Sequence, residues 1–329
     1  MKRKLILPVL GLMLLLLWGC AGQTADAGDT EDTEEALIVV GVCQVGAESD
    51  WRVANSESIK AVFTEENGYQ LLFEDAKQKQ ENQISAIRKF IQQKVDYIVL
   101  MPISETGWDS VLQEARDAGI PVILVDRMVD VADESLYTAH VGSDFEAEAA
   151  LAVDWMEETY GDDPVNIVHL LGTVGSTAQI GRTEVLEAAV AAHDGWTILT
   201  QLEGDFTQAK AYEVMCGYLS KGSPDIHVVY CENDNEAYGA IEALEEYGYT
   251  CGEGGVAVIS FDATGTCLTL CLEGKIALAV ECNPLLGELV EEVIQTLEAG
   301  DTPAKHTYVG ETCFTRGDLT EGFIAERGY

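Results

Sequence analysis

Positive charge is what this chain has least of. Lys and Arg together number 19 against 57 Asp and Glu, a formal net charge of −38 over 329 residues. So large an acidic surplus repels phosphate backbones and anionic lipid, which excludes nucleic acid and acidic membrane surfaces as partners. Proline is also scarce, at 7, and no Pro/Ser-rich linker divides the sequence. The histidines are His140, His169, His193, His227 and His306, and none stands in a nucleophile–base motif. GxSxG and HExxH are absent, so no enzyme is expected. No CxxC pair and no Cys/His cluster has zinc-like spacing, and neither GxxxxGK[ST] nor a GxGxxG after the first strand occurs. No metal, nucleotide or other cofactor is therefore expected. The longest apolar run, residues 5–18, falls short of the roughly 20 residues a spanning helix needs.

That run follows Lys2-Arg3-Lys4 and ends at Leu17-Trp18-Gly19-Cys20. A positive start, a short apolar stretch and a cysteine at its end read as a secretory segment. Residues 1–20 are the expected lipoprotein signal, with Cys20 the lipidation site, although Trp18 stands where a small residue is usual. A plain cleavable signal or a retained anchor is the alternative. Residues 21–36 are acidic and without apolar period, so they read as a disordered tether. Export permits disulfides. Eight cysteines remain, but Cys43 and Cys231 lie in apolar strand patterns, and Cys267 and Cys271 are four apart on one helix face. No disulfide is expected.

From residue 37 onward, short β-branched runs alternate with amphipathic stretches. Strands are expected at 38–43, 69–74, 97–101, 121–125 and 137–142. Helices fall between them at 81–94 and 108–118, and another follows at 144–159, capped by Ser143 or Asp144. The alternation then resumes with strands at 165–171, 196–202, 227–231, 256–261 and 276–281, a last helix at 284–297 and a closing strand at 306–309. Such an order predicts an α/β protein with two mostly parallel sheets, each covered by helices on both faces.

In open parallel sheets ligands bind outside the carboxyl ends of the strands. The residues just past those ends are Glu48, Trp51 and Arg52, then Asp126 and Arg127. In the second half come Arg182, Phe206, Asn233, Asp262 and Glu281. Carboxylates, an amide and arginines together both donate and accept hydrogen bonds, as sugar hydroxyls require. Aromatic faces pack on the apolar side of a sugar ring. Each residue also has a plainer reading. Asp126-Arg127 is also a turn ion pair, Trp51 a core residue, Asp234 the cap of the next helix, and Asp262 a turn residue. Their joint occurrence at successive strand ends favours the binding reading.

The segments VGVCQVGAESDWR, AKQKQENQISAIRKFI, GWDSVLQEARDAGIPVILVDR, LLGTVGSTAQIGR, GDFTQAK and ENDNEAYGAI carry a resemblance. They resemble the sugar-binding lipoproteins of ABC importers, which have the type I periplasmic binding fold, and within them the galactofuranose-binding group. The resemblance covers nearly the whole chain after the signal. It implies two Rossmann-like lobes joined by a three-segment hinge. Residues 37–139 plus 283–310 form the N-terminal lobe and 140–282 plus 311–329 the C-terminal lobe. A monosaccharide is the implied ligand and an ABC permease the implied partner, with a monomer held outside the membrane by its lipid. Glu48, Trp51 and Arg52 line the implied cleft, Asp126 and Arg127 clamp ring hydroxyls, and Arg182, Phe206, Asn233, Asp262 and Glu281 complete it. Asp50 and the Cys231-Glu232 pair depart from that pattern and leave the sugar open. A sensor that presents a sugar to a receptor kinase shares these features. A transcription regulator needs a helix-turn-helix where the signal stands, and a glycosidase would hydrolyse an aryl glycoside.

Overall fold

A computed structural model describes residues 36–329. The expected signal, Cys20 and nearly all of the expected tether lie outside the described residues. The first sheet is built from β1 (Ile38–Gln44), β2 (Tyr69–Asp75), β3 (Tyr97–Leu100), β4 (Val122–Val125) and β5 (Ala139–Gly142), joined much later by β11 (His306–Tyr308). Its order is β11-β5-β4-β3-β1-β2, and every pair is parallel. The second holds β6 (Val165–Leu171), β7 (Trp196–Glu203), β8 (Val228–Cys231), β9 (Ala257–Asp262), β10 (Leu278–Glu281) and β12 (Cys313–Phe314). Its order is β12-β10-β9-β8-β6-β7, with only the two-residue β12 antiparallel. Two doubly covered parallel sheets are the architecture the alternation predicted.

Period-two burial explains the layers. Val40 and Val42 of β1 face α1 (Asp50–Val62) and α9 (Gly287–Glu298), packing with Ile59, Phe63, Val290 and Ile294. Cys43 faces the other way, onto α2 (Gln80–Gln93) and α3 (Asp109–Asp117), with Ile87, Phe90 and Leu112. Gly41 shares that face because a Cβ there would sit 2.6 Å from the Phe90 ring. In the second sheet α4 (Phe145–Tyr160) and α5 (Thr177–Ala192) cover one face through Met156 and Leu186. The other face is covered by α6 (Gln208–Leu219), α7 (Asp234–Glu246) and α8 (Gly265–Glu273) through Met215, Leu244 and Leu268. Burial of Leu-sized side chains on both faces, at ~1.5–3 kcal/mol each, is what holds each lobe together.

The chain crosses between sheets three times. β5 lies wholly in the first sheet, so the first crossing follows Gly142 rather than residue 139. The second lies between β10 and α9, and the third between β11 and β12. The helix expected from 284 begins at Gly287, because Asn283 Oδ1 accepts from Leu285 N at 2.9 Å and holds a turn after Pro284. β12 and a short helix α10 (Glu321–Glu326) are additions that no apolar run announces. The eight described cysteines are free thiols. Among the described residues, no helix is long and apolar enough to cross a membrane.

Candidate functional site

The carboxyl ends of both sheets face one cavity, which holds about 290 Å³ of space free of atoms. Its lining includes Glu48, Trp51, Arg52, Asp126 and Arg127 from the first lobe. Arg182, Phe206, Asn233 and Asp262 come from the second. Nine of the ten residues picked from strand ends thus meet in one place.

The first-lobe wall is a web of charge. Ser49 caps α1 by accepting from Arg52 N at 3.2 Å, which sets Trp51 and Arg52 in the first turn beside the cavity. Arg52 Nε donates to Glu48 Oε1 at 3.0 Å and Nη2 to Asp126 Oδ2 at 2.7 Å. Burial works against the Arg52 charge, but the Asp126 and Glu48 carboxylates outweigh it and make the guanidinium more basic than usual. Arg127 stands further from the same carboxylates, at 3.9 Å from Glu48 and 3.8 Å from Asp126. Burial and the neighbouring Arg52 pull Arg127 down to about 10, so it stays charged at neutral pH. Trp51 Nε1 donates to the Cys282 carbonyl at 2.7 Å, so this indole bridges the first lobe to the second crossing.

The second-lobe wall is framed by rings. Arg127 lies 5.1 Å from the centroid of Phe206, and Arg182 lies between Phe145 (5.3 Å) and Phe261 (4.7 Å). Arg182 donates through Nε and Nη2 to Glu148 Oε2 at 2.9 and 2.7 Å, and through Nη1 to the Glu232 carbonyl. Asn233 caps α7, its Oδ1 accepting from Glu236 N at 2.8 Å, while its Nδ2 donates to the Phe206 carbonyl at 3.1 Å. The cap is thus Asn233 and not Asp234. The Asp234 carboxylate instead accepts from Ser260 Oγ at 2.5 Å and from Thr264 N and Oγ1 at 2.8 Å, holding the turn after β9. Burial, then the Asp234 charge, push the Asp262 carboxyl well above the usual carboxylate range.

Backbone strain gathers at the same strand ends. Asp126, Asp205, Phe206 and Asp262 all have positive φ, from +55° to +111°. Such non-glycine conformations cost ~1–3 kcal/mol each and cluster at ligand clamps. Gly172 is required opposite Phe206, since a Cβ there would come within 2.0 Å of the ring.

Glu281 does not reach the cavity. Its carboxylate pairs with Arg327 Nη1 at 2.8 Å and accepts from Tyr329 Oη and Thr312 N. The C-terminal segment folds back over the end of β10 and neutralises this acid. In its place the next residue, Cys282, lines the cavity, with Ser49, Phe145 and Ala178. Phe145 and Ala178 sit in the first turns of α4 and α5, where the apolar period alone reads as core. A Ser just ahead of a helix start is a cap signal that points to Ser49, and Cys282 carries none.

Direct contacts draw the lobes together around the cavity. Asp50 N donates to Asn235 Oδ1 at 3.0 Å, Glu105 N to the Gly175 carbonyl at 2.9 Å, and Met128 N to Thr177 Oγ1 at 3.0 Å. Two Rossmann-like lobes meeting over a small polar cavity define a two-lobe binding protein.

Comparison with known proteins agrees. A model of the periplasmic binding protein domain matches residues 40–300, and the chain belongs to that family. It is 36% identical to the galactofuranose-binding protein of Escherichia coli K12 over 85% of this chain and 88% of that one. A Mycobacterium smegmatis protein solved with β-D-fucofuranose superposes with a TM-score of 0.81 at 41% identity, covering 86% of this chain and 92% of that one. The arabinose-transporter binding protein of Shewanella sp. ANA-3, solved with L-arabinofuranose, gives 0.82 at 37% identity, covering 88% and 95%.

Proposed function

We propose that this chain is the extracytoplasmic binding component of an ABC sugar importer, taking one monosaccharide in its furanose form, galactofuranose or a close relative. The observation that carries this is a set of three buried atoms without a protein partner: Glu48 Oε2, Arg52 Nη1 and Arg127 Nε. All three belong to residues of the cavity wall. An unpaired buried polar atom costs ~1–3 kcal/mol, so a ligand that satisfies it binds with that advantage. One acceptor and two donors suit hydroxyl groups, which do both. Carboxyl and guanidinium groups stand side by side in the wall, a mix of acceptors and donors that fits a polyhydroxylated molecule. Trp51, Phe145 and Phe206 supply apolar faces. The furanose choice draws on the relatives solved with such rings.

Turnover is not part of this reading. A glycosidase needs one protonated and one free ionised carboxylate flanking the bond. Here Glu48 and Asp126 are both held by Arg52, so the raised Asp262 carboxyl has no free ionised carboxylate to work with. The protein works as a monomer, hands its sugar to a permease without binding nucleic acid, and is tethered through a lipid on Cys20. Closure about the three crossings buries the sugar.

Calorimetric titration with galactofuranose, galactose, ribose and arabinose tests the reading. Micromolar or tighter binding of a furanose, abolished by Arg127→Ala, is the expected result. No heat with any of the four sinks the galactofuranose assignment. Hydrolysis of an aryl galactofuranoside would sink the non-enzymatic part, and loss of membrane association in Cys20→Ser tests the tether.

A further inference from the structure

One carboxyl group touches all three crossings between the lobes. Glu311, on the third, accepts from Ser143 Oγ on the first at 2.7 Å and from Asn283 N on the second at 2.8 Å. Glu148, in the first turn of α4, faces the same point. Carboxyl oxygens of Glu148 and Glu311 and the sulfur of Cys282 all lie within 4.8 Å of one another. Glu148 is 1% exposed; its Oε2 is taken by Arg182, and its Oε1 has no partner.

Two carboxylates this close, one buried and the other half-buried, do not both stay charged. Arg182 matches the charge on Glu148. Among the described residues no cation comparably faces Glu311, whose near neighbours are Ser143, the Asn283 backbone, the Cys282 thiol and Glu148 itself. Burial, then the Glu148 charge, push Glu311 up to about 9. A proton on Glu311 supplies the donor that Glu148 Oε1 lacks.

We propose that Glu311 carries a proton and donates it in a hydrogen bond to Glu148, and that the two are positioning residues that aim Arg182 into the cleft and pin the three crossings in their closed arrangement. The part that concerns Arg182 rests on the sugar-binding reading above. The charged or titratable groups facing the pair are Arg182 and Asp262 across the cleft wall and Cys282 at the second crossing, the last with its thiol raised by burial. Opening the lobes hydrates the crossings and loosens the proton, so the closed, sugar-bound form holds it more tightly.

The test is denaturant unfolding and sugar titration of the full chain from pH 5 to 9, comparing wild type with Glu311→Gln and Glu311→Ala. A folded-state carboxyl raised above its unfolded value makes stability fall as pH rises through that window and level off above about 9. Wild type is therefore expected to lose ground to Glu311→Gln by up to about tenfold in the unfolding constant per pH unit. Sugar affinity of wild type falls over the upper part of the range, and that of Glu311→Gln does not. Glu311→Ala binds at least ~10-fold more weakly than Glu311→Gln, since it lacks the donor. Should Glu311→Gln not fold, Glu148→Gln answers, because removing the repelling charge must shrink the same slope. Parallel stability curves overturn the proposal, as does one-to-one Zn²⁺ binding by wild type that Glu311→Gln loses, which puts a cation where the proton belongs. A stability slope without sugar binding leaves the pair standing and sinks the sugar reading; sugar binding without the slope does the reverse.

Discussion

The two walls of the cleft solve the same problem differently. In the first lobe Glu48, Arg52, Asp126 and Arg127 neutralise one another at the cavity surface, and three of their atoms are left over. In the second lobe Arg182 and Phe206 are held from behind. Arg182 rests on Glu148 and on the Glu232 carbonyl, and Phe206 on Asn233 and Glu236. Glu232 itself is fully buried and accepts from His169, Thr183 and Gly172 N. The first wall thus offers unspent hydrogen-bonding capacity to a ligand, and the second offers fixed shape. Fixing donors in advance lowers the ordering cost of binding.

The largest effect is expected where the first wall's balance breaks. Arg52→Ala leaves Glu48 and Asp126 buried without their close cation, and is expected to cost ~3–5 kcal/mol of stability. Denaturant midpoints check this, and an unchanged midpoint would show that Arg127 takes over the pairing. Arg127→Ala separates binding from folding, since its ion pairs are long. Sugar affinity should drop by ~2–5 kcal/mol, at least about 30-fold, with little change in unfolding. If stability falls as far as affinity, the contrast between the walls is wrong.

The second wall is probed by pH. Burial, then Glu232, push Glu236 up to about 8. Its folded value lies above its unfolded one, so its stabilising contribution is greatest at acid pH, falls as pH rises toward 8 and is flat beyond. Glu236→Gln is expected to remove a slope of at most ~1.4 kcal/mol per pH unit over that window, read from unfolding curves. The smallest effect belongs to Glu281. Glu281→Gln should cost ~1 kcal/mol of stability by trading a charged hydrogen bond to Arg327 for a neutral one, and leave sugar affinity within about twofold.

Glu281 also shows how far strand-end position can be trusted. It stands at a strand end like the others, and by that rule it belongs in the cleft. Its partner Arg327 lies far along the chain, and only packing of the C-terminal segment brings them together. Phe145 was hidden for a different reason: an aromatic at the start of an apolar helix carries the same pattern whether it faces core or cavity. Asp234 and Asn233 were distinguishable only by geometry, because either side chain caps a helix equally well.

The amino-acid order alone determined the alternation of strands and helices, since burial on both faces of a sheet leaves a local, periodic mark. It also determined which residues follow each strand, and in a parallel sheet those positions converge on one edge. Tertiary structure alone decided which charges find partners. It sent Glu281 to Arg327, matched Arg52 with Asp126, and set Glu148 against Glu311 at the crossings. Those pairings join residues from separate elements, several of them far apart in the chain. No short-range pattern encodes them, because their energies exist only once the lobes have packed and water has left.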